Sequence, residues 1–133
     1  MFNKIAVVLG ATLILGQAQA ATVIKVGHGA NDKYHMHRAL LHFETLVEQG
    51  SNSEFDVQIF PSSQMGPDRE MIEGVQTGVL EMAVSPSSFF AGWDSSFAVI
   101  ELPYMYPGKD VALKVLSGPA GDKMLSKLNN QGL

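Results

Sequence analysis

The apolar positions of this chain change period repeatedly, and each change marks an element. Thr22–His28 (TVIKVGH) is a short β-rich run closing on Gly27-His28. Asn31 or Asp32 can cap the next segment. From residue 34 to 49, apolar side chains recur at Met36, Ala39/Leu40, Phe43 and Leu46/Val47, a 3.6-residue spacing that predicts an amphipathic helix. Gly50-Ser51-Asn52-Ser53 stops it. Phe55, Val57 and Ile59 then alternate with Asp56 and Gln58, which predicts a strand. A loop at 61–64 leads to Pro67, suited to a first helical turn, with Asp68 and Glu70 near the positive helix end. Met71, Ile72, Val75 and Val79 form the expected buried face, and Gly78 the helix stop. Residues 80–84 read as a third strand, apolar except at Glu81, as in a strand covered on both faces.

The order β-α-β-α-β with short connections predicts an α/β fold with a doubly wound, mainly parallel sheet. An irregular stretch rich in Phe, Trp, Pro and Gly spans 86–108. Two helices are expected after it, at 110–116 and at 119–131, the second starting on Pro119 and ending at Gly132. Leu133 lies where an α/β fold would begin its next strand, so the chain reads as interrupted. A lobe ending there would leave an open sheet edge and exposed apolar surface.

Residues 1–20 (MFNKIAVVLGATLILGQAQA) follow a different logic. Lys4 is their only charge, residues 5–16 are an apolar run too short to span a bilayer, and Ala18-Gln19-Ala20 is an A-x-A exit. These parts, in this order, predict a secretory signal peptide over 1–20 and a mature domain over 21–133. No later segment is apolar enough to span a membrane, so the mature chain is expected to be exported and not membrane-embedded. The chain has no cysteine, which removes a disulfide scaffold, a thiolate metal site and a cysteine nucleophile. Export without cysteine fits a bacterial periplasm. Net charge is −4, and −5 without Lys4, so there is no basic footprint for nucleic acid.

Candidate chemistry is sparse. Gly27-His28-Gly29 follows a strand, but Asp32 stands where a dinucleotide fingerprint needs its third glycine. There is no P-loop and no nucleophile elbow. The histidines at 28, 35, 37 and 42 do not share a metal: His35 and His37 point to different helix faces, while His35 and His42 lie about 10 Å apart. Surface or capping roles suit them, apart from His28, which ends the first strand where α/β sheets bind ligands. Asp68 and Arg69 open the second helix, where free N–H groups favour an anionic oxygen and Arg69 offers a fork for a carboxylate. Ser85-Pro86-Ser87-Ser88 leaves the third strand on the same edge. Phe89, Phe90 and Trp93 suit a core, a domain interface or a pocket wall.

Several blocks resemble one family. IKVGH at 24–28 and FETLVEQ at 43–49, behind a signal peptide, resemble the opening of the periplasmic solute-binding proteins of TRAP transporters, the DctP type. FPSSQMGPDREM at 60–71 with QTGVLEMA at 76–83 looks like that family's FPxxQLGxxRExxxxxQxGxLDMA block. ELPYMY at 101–106 and VLSGPAG at 115–121 are also similar to it. The resemblance implies a periplasmic-binding-protein-like fold of type II, of which this chain is the first lobe only. It implies a binding protein of a Gram-negative periplasm, not an enzyme, with no cofactor and no metal. Such a protein captures a small organic anion, usually a carboxylate, and delivers it to TRAP membrane permease subunits. The expected ligand-binding residues are His28, Asn31, Gln64, Asp68, Arg69, Ser85, Ser87 and Trp93. The arginine that clamps the ligand carboxylate in the family comes from the second lobe, and Arg69 is not equated with it. Pro67 and Pro86 stand where some sialic-acid-binding relatives carry acidic residues, which weighs against that ligand.

Two other classes fit the residues. One is a sensor partner of the same fold. The other is an exported enzyme using His28 as base, oriented by Asp68 or Glu70. Capture by closure of two lobes is the mechanism the resemblance implies, with the closed state stabilised by its higher affinity for ligand.

Overall fold

A computed structural model describes residues 20–133. The expected signal peptide falls almost entirely outside the described residues. The elements are β1 (Thr22–His28), α1 (His35–Gly50), β2 (Phe55–Phe60), α2 (Asp68–Gln76), β3 (Met82–Val84), a 3-10 segment (Ser87–Gly92), α3 (Ser96–Val99), α4 (Lys109–Leu116), α5 (Pro119–Leu125) and a 3-10 turn (Asn129–Gln131). The sheet is parallel, in the order β2-β1-β3. The chain starts in the middle, steps to one side through α1 and returns past β1 through α2.

Alternation along β1 separates the two helical layers. Val26 is buried with Leu40 of α1 and Val57 of β2, and Ile24, Phe43, Val47, Ile59, Met82 and Val84 pack around them. Gly27 points the other way. A Cβ there would lie 2.7 Å from Met71 Sδ of α2 and 3.3 Å from Leu80 Cδ2. The helices therefore cover opposite faces, as right-handed crossovers to opposite sides of a starting strand require. Met71 and Ile72 are almost wholly buried, each worth about 1.5–3 kcal/mol of apolar burial.

Three expectations need correction. Val79 is 68% exposed. Helix α2 ends at Gln76, Gly78 takes a left-handed φ of 73°, and Leu80 turns back into the core instead. The third strand is shorter than 80–84 because the Glu81 carboxylate accepts the Lys25 N–H at 2.9 Å, where a ladder bond would otherwise form. Its residues are half-buried, since β3 is an edge of the described sheet. The helix expected over 119–131 stops at Leu125. Leu128 then turns inward, and Gln131 O accepts from Gln76 Nε2 at 2.7 Å, tying the tail to α2.

The irregular stretch has its own small core. Phe97 is buried, with Phe90 at 5.6 Å between ring centroids, and Trp93 stands 6.1 Å from Phe90. Asp94 accepts from Ser96 N at 2.9 Å, from Ser96 Oγ and from Lys127 Nζ at 3.0 Å, linking this core to the turn that follows α5. Those donors hold the Asp94 pKa down at about 2, the Ser96 hydroxyl contributing most. Among the described residues no helix is long and apolar enough to cross a membrane.

Helix α5 packs on α4 through Gly121, where an added Cβ would lie 1.8 Å from the Leu116 carbonyl oxygen. Backbone cannot yield as a flexible side chain does. Gly121→Ala is expected to destabilise the protein by about 2 kcal/mol or more, read as a drop of several degrees in melting temperature. Gly92→Ala, whose Cβ would meet nothing within 4 Å, serves as the near-neutral control. Equal melting temperatures for the two variants would contradict the α4–α5 packing.

Candidate functional site

Parallel strands send every strand-to-helix loop out at one edge, and here three loops meet there. β1 ends at His28. The loop after β2 carries Ser62 and Ser63 with left-handed φ values of 55° and 57°, uncommon for side-chain-bearing residues. That backbone aims Ser62 N–H at Ala30 O (2.8 Å) and Ser63 N–H at His28 O (3.1 Å), stitching the second loop to the first. The third loop leaves β3 at Ser85-Pro86.

Three buried polar atoms on this edge have no hydrogen-bond partner: His28 Nδ1, Asp68 Oδ1 and Ser85 Oγ. Buried polar groups are nearly always paired, so each orphan asks for an explanation. Asp68 and Ser85 line a cavity of about 300 Å³ whose walls include Gly29, Tyr34, Met36 and Pro86. Gly29 makes room for the carboxylate, since a Cβ there would lie 2.8 Å from Asp68 Oδ2. The cavity presents one carboxylate and the hydroxyl-bearing side chains of Ser85 and Tyr34 among mostly apolar walls, the usual make-up of a small-molecule pocket.

His28 is fully buried. Its Nε2 lies 3.0 Å from Nδ1 of His37, a residue of the first turn of α1. Burial lowers the His28 pKa most, the neighbouring His37 lowers it further, and Asp68 opposes both. The ring is therefore held neutral. This overturns the surface or capping reading for His37. The signal was present in the sequence, because position 37 lies three residues before the core residue Leu40 and shares its helix face. Among the described residues, no three His, Asp or Glu side chains come together so as to hold a metal ion.

The remaining expected residues do not join this cluster. Asn31 Oδ1 accepts the Lys33 N–H at 3.0 Å, closing its own loop. Gln64 is exposed. Ser87 Oγ is taken by Glu101, whose carboxylate also accepts the Ser88 N–H at 2.9 Å. Those donors hold the Glu101 pKa down. Arg69 follows Asp68 in the helix and so points about 100° away from it. It pairs with Glu73 at 2.9 Å on the exposed flank of α2. There it shares a second groove, of about 670 Å³, with Trp93 and Phe89. The structure thus splits the expected residues between a crevice edge and a helix flank. For the enzyme reading, the geometry lacks an orienter: neither Asp68 nor Glu70 bonds His28, whose ring partner is His37.

Comparison with known proteins gives one consistent answer. The family model for bacterial extracellular solute-binding protein, family 7 (DctP), matches residues 26–133. The C4-dicarboxylate-binding periplasmic protein DctP of Rhodobacter capsulatus is 34% identical over 84% of this chain and 34% of its own length. The sugar acid binding protein of Advenella mimigardefordensis, solved in complex with galactonate, superposes with a TM-score of 0.82 at 30% identity, over 84% of this chain and 36% of that one. A TRAP periplasmic solute binding protein of Haemophilus influenzae with bound L-gulonate gives 0.78 at 28% identity, over 84% and 36%. The chain thus spans between about a fifth and two fifths of the length of the curated relatives it matches.

The lowered His28 pKa makes a stability prediction. The unfolded imidazole takes up its proton at the ordinary value of 6.5, before the folded one does. Acidification therefore favours unfolding: the contribution is complete above pH 6.5 and is lost as pH falls through the lowered native value. Glu81, Glu101 and Asp94 act in a separate window, below their ordinary values of 4.5 and 3.8. Between pH 7 and 5 the melting temperature is expected to fall, and to fall less steeply in His28→Gln. Parallel slopes for the two proteins would contradict the assignment.

Proposed function

The chain belongs to the bacterial extracellular solute-binding protein family 7, DctP, and from that premise we propose that it is the first lobe of a periplasmic receptor for a small organic acid, delivered to TRAP membrane permease subunits. On this reading residues 1–20 direct export, residues 21–133 form half of the binding cleft, and a second lobe supplies the charged clamp for the ligand carboxylate. The two lobes close on the ligand, because the closed state is the one in which both sets of contacts exist. The observation that carries the reading is the trio of unpartnered buried atoms, His28 Nδ1, Asp68 Oδ1 and Ser85 Oγ, on the loop edge of a parallel sheet. That edge is where open α/β sheets bind ligands.

The chemistry of the trio narrows the ligand. An ionised carboxylate is acceptor-only, so Asp68 repels a second carboxylate and accepts a hydroxyl proton. Ser85 can donate or accept. A lobe of this make-up suits the hydroxylated end of a hydroxy or sugar acid better than the far end of a plain dicarboxylate. The sugar acids bound by two of the structural relatives are of that kind. Net negative charge gives no long-range attraction for an anion, so affinity rests on local donors.

Calorimetric titration of the complete protein with galactonate, L-gulonate and succinate tests this. A sugar acid is expected to bind more tightly than succinate. Asp68→Ala should weaken the sugar acid at least tenfold, the scale of a lost hydrogen bond to a charged group, and leave succinate unchanged or tighter. Equal losses for both acids, or none, would remove Asp68 from ligand selection.

A further inference from the structure

Tyr34 breaks a local rule of helix starts. It is the N-cap of α1, with extended backbone (φ −74°, ψ 147°) and a side chain that makes no capping bond. Short oxygen-bearing side chains are preferred at that position because they bond the free N–H groups of the first turn, and a Tyr forgoes that stabilisation. Nor does the ring serve the core, since Tyr34 is 51% exposed. The loop nevertheless fixes it in place. Tyr34 N–H donates to Asn31 O at 3.2 Å, Lys33 N–H donates to Asn31 Oδ1 at 3.0 Å, and the ring lies beside that of His35 with centroids 4.2 Å apart. The place where it is held is the wall of the crevice cavity, which it shares with Met36, Pro86, Asp68 and Ser85. A departure from local preference with no gain for the fold is expected at a functional site.

We propose that Tyr34 is a binding residue of the crevice: its ring is the wall on which the carbon chain of a polyhydroxy acid packs, while Asp68 and Ser85 take that ligand's hydroxyls. The make-up of the cavity supports this. Its unpartnered buried atoms belong to Asp68 and Ser85, while Tyr34, Met36, Ala30 and Pro86 supply apolar surface. A hydroxylated chain is amphipathic in the same way, with hydroxyls for hydrogen bonds and C–H groups that gain by leaving water. An aromatic ring offers a large apolar area for such contact, and this one stands half exposed. Covering about 50 Å² of it corresponds to about tenfold in affinity. The inference rests on the organic-acid reading above.

Tyr34→Asn in the complete protein separates binding from folding, because it moves them in opposite directions. Asparagine is a good N-cap, so the melting temperature is expected to rise by a few degrees. Galactonate affinity, measured by calorimetric titration, is expected to fall about tenfold. Tyr34→Phe keeps the ring and should bind galactonate within about twofold of wild type. Proton NMR of bound galactonate gives a direct reading: ring-current shifts of its C–H protons are expected with wild type and Tyr34→Phe, and are expected to vanish with Tyr34→Asn. Unchanged galactonate affinity in Tyr34→Asn would overturn the proposal. So would an equal loss in Tyr34→Phe, which would assign the contact to the hydroxyl. A melting temperature that falls in Tyr34→Asn would place the ring in the service of the fold and overturn it too. If wild type binds none of galactonate, L-gulonate and succinate, the organic-acid reading fails and this inference falls with it. If wild type binds galactonate and Tyr34→Asn matches it, this inference alone fails.

Discussion

Strand β1 is hydrogen-bonded on both sides, to β2 from Thr22 to Gly27 and to β3 from Val26 to His28, and this double pairing fixes where the crevice loops emerge. With both neighbours parallel, every strand ends at the same edge. With the strand starting in the middle, its two crossovers diverge, and α1 and α2 take opposite faces. Side-chain alternation then does the rest. Val26 and His28 face α1, so His28 meets His37. Gly27 faces α2 and lets Met71 approach the sheet closely. A one-residue slip in β1 would exchange those faces and dissolve both contacts.

The same geometry explains which parts of the fold were readable in the sequence. Periodicity located β1, α1, β2 and α2 to within a residue or two, because each has one face committed to the core. It failed where another rule took over. Val79 continues the helical spacing on paper, but Gly78 turns the chain out of the helix first. Residues 80–84 look like a strand, but the Glu81 side chain displaces a rung of the ladder. The stretch from 119 to 131 has helical composition, but burial of Leu128 and the bond from Gln76 to Gln131 break it into pieces.

The candidate site was legible only in part, for a related reason. Topology alone points to loop-edge residues, and His28, Asp68 and Ser85 follow from it. What it does not give is which side chains are already spoken for. Asn31 bonds its own loop, Ser87 is held by Glu101, and Arg69 turns to Glu73 on the helix flank. Adjacent helical residues diverge by about 100°, so Asp68 and Arg69 serve different surfaces despite their adjacency. His37 is one histidine among several in the sequence. Its meaning comes from the strand residue it meets across the layer.

The proposed function requires the loop edge of this lobe to hold one side of the ligand through its buried, unpartnered polar atoms. The most direct measurement is a crystal structure of the complete protein with a sugar acid bound in the cleft. Ligand oxygens are expected within hydrogen-bond distance, about 3.2 Å or less, of Asp68 and of at least one of His28 Nδ1 and Ser85 Oγ. A ligand held only by the other lobe, or seated in the groove between Arg69 and Trp93 with the three atoms still unpartnered, would contradict the claim.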